Sequence, residues 1–151
     1  MKFHIAGLIG TLALFSATQA FAEATPIEVQ KTNGCGCCLA WMEHLSANGF
    51  APMGEDVNGG LLIRYKMESG VPQNMMSCHT AMVDGYIIEG HVPAADIRRL
   101  LKDRPDAVGL AVPDMPLGSP GMDQGRRVDA YDVFLINDDG STDVFASYPG
   151  N

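Results

Sequence analysis

The chain has 151 residues, with ten Lys and Arg against eighteen Asp and Glu, a formal charge of −8 at pH 7. Its basic residues do not cluster beyond Arg98-Arg99 and Arg126-Arg127, which excludes the basic face that nucleic-acid binding needs. The length allows one domain of ordinary size.

At the N-terminus, Lys2 precedes an apolar run from Ile5 to Phe15, and Ala20-Phe21-Ala22 places small residues where a signal peptidase reads. Residues 1–22 are therefore expected to be a signal peptide, cleaved after Ala22, and residues 23–151 a single domain. The run is too short for a comfortable bilayer span, and nothing later in the chain is apolar enough to form one. Cleavage leaves nine basic residues against eighteen acidic ones in an exported protein with no membrane span.

Ile27 to Lys31 alternates with period two and predicts a strand ending at Thr32-Asn33-Gly34. Leu39, Ala40, Trp41, Met42, Leu45 and Ala47 favour a helix that Asn48-Gly49 stops. Phe50–Val57 reads as a second strand, interrupted by Pro52 and Gly54, and Leu61–Glu68 as a second helix. Thr80–Val83 and Tyr86–His91 flank Asp84-Gly85, a pair that supplies the positive φ angles of a tight hairpin turn. A third helix opens at Pro93 and runs to about Lys102 on an Ile97, Leu100, Leu101 stripe. Residues 109–125 show little regular structure, and Tyr131–Ile136 with Val144–Tyr148 predicts a terminal hairpin. The order βαβαββα plus a C-terminal hairpin is that of an α/β fold: a thioredoxin-like mixed sheet with flanking helices. That plan brings the loop after the first strand and the entrance of the hairpin to one edge of the sheet.

Three of the four cysteines, Cys35, Cys37 and Cys38, lie at the mouth of the first helix, where the helix dipole favours thiolate. Cys78 stands at the hairpin entrance beside His79. Neighbouring cysteines resist a two-bridge staple, so at most one bridge, from the cluster to Cys78, is expected, with two thiols left over. Thiolates and thioethers are soft donors that select Cu(I) over zinc, and crowded thiolates can bridge several ions, which favours a multinuclear copper cluster. His91, which closes the hairpin, is the preferred ligand histidine, and Met115 and Met122 are candidate thioether ligands because their loop has little core to fill. His44 reads as exposed or capping, and His79, if it shares a strand with Cys78, points the other way. Whether either is a ligand stays open.

Asn33-Gly34-Cys35-Gly36-Cys37-Cys38 with Trp41 and His44, then Val71-Pro72, Ser77-Cys78-His79-Thr80, Gly85-Tyr86, Glu89-Gly90-His91-Val92-Pro93, Gly109-Leu110-Ala111-Val112-Pro113, Met115-Pro116 and Gly118-Ser119-Pro120-Gly121-Met122 resemble the exported CopG-type copper-resistance family. The resemblance spans nearly all of residues 23–151. It implies a thioredoxin-like fold, a periplasmic location in a Gram-negative bacterium, a role in copper handling, and Cys35, Cys37, Cys38 and Cys78 as metal ligands. The family usually has Gly where this chain has Asp114.

The expectation is a periplasmic protein of copper resistance or homeostasis. It takes copper, as Cu(I) able to cycle to Cu(II), on Cys35, Cys37, Cys38, Cys78, His91 and a loop methionine. Its partners are copper ions and other periplasmic copper-resistance proteins. The alternatives are a thiol–disulfide oxidoreductase using Cys35 and Cys38, whose Cys-x-x-Cys spacing fits, and a zinc-stabilised binding domain.

Overall fold

The computed structural model describes residues 23–123 and 125–151; the expected signal peptide lies outside the described residues. The elements run β1 (Thr25–Lys31), α1 (Gly36–Ala47), β2 (Phe50–Asp56), α2 (Gly59–Glu68), a 3-10 turn (Gln73–Met75), β3 (His79–Val83), β4 (Tyr86–Glu89), α3 (Ala94–Asp103), β5 (Gly109–Ala111), β6 (Tyr131–Ile136) and β7 (Thr142–Tyr148). One mixed sheet of order β2-β1-β3-β4-β5-β6-β7 holds the seven strands of the described residues. The first four form the thioredoxin-like core, and the C-terminal strand pair extends it, as expected.

Alternation makes the sheet two-faced. Ile27 and Val29 on β1, Ala81 and Val83 on β3 and Ile88 on β4 bury into the larger core with Trp41 and Leu45 of α1 and Ile97 and Leu100 of α3. Ile87, the neighbour of Ile88, must point to the other face. There it packs with Val71, Met75, Ala111 and Ile136 in a smaller core. The expected tight turn is present: Asp84 and Gly85 have φ of 49° and 88°.

β5 departs from expectation. Gly109-Leu110-Ala111, expected within an irregular loop, pairs parallel to β4 and antiparallel to β6. Three residues are too few to show a periodicity, and all three are buried.

β1 pairs parallel with β2 and antiparallel with β3, Lys31 opposite His79. The end of β1 therefore lies beside the start of β3, and the chain enters α1 next to the point where it leaves Cys78. α1 is held in rotation by Trp41, whose buried indole N–H donates to the Val92 carbonyl at 2.9 Å.

His44 caps a different helix from its own. α3 has Pro93 at its N-cap, which offers no side-chain acceptor. The Ala94 N–H donates instead to His44 Nε2 at 3.1 Å, an arrangement that requires the neutral ring, and burial lowers the His44 pKa. By analogy with loss of an ordinary N-cap, His44→Ala should lower the unfolding free energy by about 1 kcal/mol in a denaturant titration, with the slope of the transition unchanged.

Candidate metal centre

α1 begins within the cysteine motif, with Cys35 as N-cap and Cys37 and Cys38 in the first turn. The entrance of β3 brings Cys78 against them: its Sγ lies 3.7 Å from that of Cys38 and 3.9 Å from that of Cys37, and Cys37 Sγ is 3.5 Å from Cys35 Sγ. The four sulfurs all lie within 4.8 Å of one another. Convergence of the two loops at one sheet edge is thus a feature of the structure.

The disulfide is placed differently from expectation. It joins Cys35 to Cys38 rather than the cluster to Cys78, and leaves Cys37 and Cys78 as the two free thiols. Helix geometry supplies the reason: residues three apart across the N-cap come within bonding reach, with Cα atoms 5.3 Å apart.

A second group shares Cys78. Its Sγ is 3.2 Å from His79 Nδ1 and 3.1 Å from His91 Nε2, so that Cys78, His79 and His91 form a second set of potential metal donors. His79 does not point away from Cys78. Cys78 precedes β3 rather than lying in it, so strand alternation does not apply to the pair. The His79 ring is fully buried between Trp41, at 4.3 Å between centroids, and His91, at 5.0 Å and edge-on. Its Nε2 is a buried polar atom with no hydrogen-bond partner.

The loop after β5 orders the other imidazole. His91 Nδ1 lies 2.8 Å from the Pro120 carbonyl, which can only accept, so the proton sits on Nδ1 and the Nε2 lone pair faces Cys78. Gly121 allows this approach. With φ of 84°, it lies where a Cβ would come within 2.6 Å of Trp41 N and 2.8 Å of the Cys37 carbonyl oxygen. Asp114 also has positive φ, 59°, which explains why glycine suits this position and why Asp, tolerant of the left-handed region, can replace it. Its carbonyl accepts the Ser77 hydroxyl.

The candidate methionines separate. Met122 is buried in the turn beside Gly121, its N–H donating to Ser119 O at 2.8 Å. Met115 is half exposed and lines a cleft with Asp129, Tyr131 and Asp132 that none of the cysteines enters.

Burial keeps these groups neutral. It lowers the His91 pKa and lowers that of His79 further, the neighbouring His91 adding to the effect. Burial first, then Cys37, pushes the Cys78 thiol up to about 12. Cys78, which lies outside the helix N-terminus, therefore lacks the thiolate character that such a position confers.

A family model described as a protein of unknown function, DUF411, matches residues 75–122, which include Cys78, His79, His91, Met115 and Met122. No curated protein matches the chain. Two solved structures, described as copper resistance protein CopG in forms 1 and 2, are 48% identical to it. They cover 85% and 84% of this chain and all of their own, each with a TM-score of 0.78.

The sign of the histidine shifts gives a pH dependence. His79 and His91 titrate lower in the folded chain than their ordinary value of 6.5, so below that pH the unfolded chain binds more protons. Stability of the metal-free protein should be level between about pH 7 and 8 and fall as the pH drops through about 6.5; well above pH 8 it should fall again, because the raised Cys78 thiol keeps its proton only in the folded chain. Denaturant midpoints between about pH 8 and 5.5 measure it, with Glu89→Gln as a second background because burial raises the Glu89 pKa and so acts in the opposite sense. A midpoint that rises on acidification would contradict neutral buried rings.

Proposed function

The chain belongs to the CopG-type copper-resistance family, and from that premise we propose that it is a copper-binding protein that holds Cu(I) on Cys35, Cys37, Cys38 and Cys78, with His91 and Met122 completing the set. The observation that carries this reading is the position of Cys78. It belongs to both the all-sulfur group and the sulfur–imidazole group, and a thiolate in that position can bridge ions held by each. Bridging favours a multinuclear cluster, and soft donors favour Cu(I) over Zn(II). The His91 tautomer supports the same reading, since its unprotonated nitrogen already faces the shared sulfur. His79, whose Nδ1 lies 3.2 Å from the Cys78 sulfur, is a further candidate.

Loading all four sulfurs requires reduction of the Cys35–Cys38 bridge, and mixed thiolate, imidazole and thioether ligation suits cycling between Cu(I) and Cu(II). Release of residues 1–22 would place the domain in the periplasm, among other copper-resistance proteins. Among the described residues no helix is long and apolar enough to cross a membrane.

The bridge also favours a second reading, a thiol–disulfide oxidoreductase. Cys38 is fully buried and Cys35 partly exposed, the asymmetry expected of a resolving and an attacking thiol. The two readings part at Cys37 and Cys78. If copper is the cargo, Cys78→Ser and Cys37→Ser should each lower the copper-to-protein ratio of anaerobically reduced protein, about equally, in competition with a Cu(I) chelator. Full copper retention in Cys78→Ser, or stoichiometric zinc that excess Cu(I) fails to displace, would count against the copper reading. Metal-independent insulin reduction that persists in Cys37→Ser and disappears in Cys35→Ser would favour the oxidoreductase.

A proton must leave Cys78 before metal can bind its sulfur. Cu(I) affinity of the reduced protein should therefore rise with pH between about pH 6 and 8, with proton release seen as a buffer-dependent heat in calorimetry. Affinity that stays level across that range would mean that Cys78 is not a ligand.

A further inference from the structure

Two charged side chains lie beneath the centre, outside both donor sets. Lys66, on α2, is 3% exposed and Glu89, on β4, is fully buried. Desolvating such a pair is expensive enough that an apolar pair of similar volume is often as stable, so fold stability alone is a weak reason for it.

Its hydrogen bonds are specific. Glu89 Oε1 accepts from Lys66 Nζ at 2.6 Å and from the Ser77 backbone N–H at 2.6 Å. Oε2 accepts from the Thr80 hydroxyl at 2.6 Å, and that hydroxyl oxygen accepts a second Lys66 N–H at 2.8 Å. Ser77 is the residue before Cys78 and Thr80 the residue after His79. One carboxylate therefore grips the chain on both sides of the two donors, and stands two residues before His91 on the strand that leads to it. The Lys66 ammonium fixes the carboxylate in turn.

We propose that the Lys66–Glu89 pair is a positioning device for the metal centre, which holds Cys78 and His79 at the distances from α1 and His91 at which they share an ion. Neither residue touches the metal. The effect of the pair resembles that of the hydrogen-bonded partners behind metal ligands, whose removal lowers affinity about 10- to 100-fold. The proposal depends on the copper reading for its consequence, while the geometry it assigns can be tested without metal.

The test replaces both charges together, Lys66→Met with Glu89→Leu, so that no lone charge is left buried. A second variant, Glu89→Gln, keeps shape and one acceptor in case the first does not fold. Val83→Ala, in the same hairpin but away from these groups, controls for general destabilisation. Hydrogen exchange of the reduced, metal-free protein should show residues 77–79 opening faster in the charge variants relative to α3, and not in Val83→Ala. Cu(I) affinity by chelator competition should fall about 10- to 100-fold in the double variant, less in Glu89→Gln, and not in Val83→Ala. Wild-type exchange at residues 77–79 in a folded charge variant, unchanged Cu(I) affinity there, or equal losses in Val83→Ala would overturn the assignment. If the wild-type protein itself fails to hold Cu(I), the copper reading falls, and the exchange comparison alone decides whether the pair positions this loop.

Discussion

Lys31 stands opposite His79 where β1 and β3 run antiparallel, and that pairing sets the end of one strand beside the beginning of the other. Without it the cysteines at the mouth of α1 and Cys78, forty residues downstream, would have no reason to meet. A slip of one residue would move Cys78 by about 3.3 Å along the strand and turn His79 to the opposite face, breaking both donor sets at once. The register is held by burial, since Val29 opposite Ala81 belongs to the larger core. Trp41 adds the rotational constraint: its bond to Val92 ties α1 to the segment after His91.

The resulting centre is crowded with donors yet poor in charge. The same burial acts in opposite directions on its acids and bases, raising the Cys78 thiol and lowering the His79 and His91 imidazoles, so that each is neutral. A hard cation wants charged oxygen donors, and neither donor set contains one. Lys66 and Glu89 instead place charge behind the donors, where it makes hydrogen bonds to the backbone and hydroxyl groups that bracket them.

The segment between β5 and β6 closes the arrangement from the other side. Pro120 sets the His91 tautomer, the Asp114 carbonyl takes the Ser77 hydroxyl, and Gly121 lies against the backbone of α1. These contacts use main-chain atoms, which explains how a loop with few hydrophobic side chains is nevertheless ordered around the centre. They also show why its special backbone positions matter more than its side chains. Asp114 keeps the left-handed conformation that glycine would adopt, and its own side chain is exposed.

Much of this was legible in the residues. Alternation marked β1, Asp84-Gly85 marked the hairpin, and the apolar stripe of Ile97 and Leu100 marked α3, because each is a local pattern imposed by the geometry of one element. The clustering of Cys35, Cys37 and Cys38, and the expectation that Cys78 joins them, followed from element order and the short connections of such folds. What stayed hidden was non-local. The three residues of β5 show no period of their own, and only neighbours on both sides make them a strand. The choice of Cys35 with Cys38 as the bridged pair, the turn of His79 toward Cys78, and the grip of Glu89 on Ser77 and Thr80 depend on which atoms tertiary packing brings within 4 Å. The amino-acid sequence by itself determined the donor chemistry and the order of elements, since both are properties of residue types and their spacing. Only the tertiary structure decided which donors share an ion's reach, because that is set by strand register and buried side-chain contacts between segments far apart in the chain.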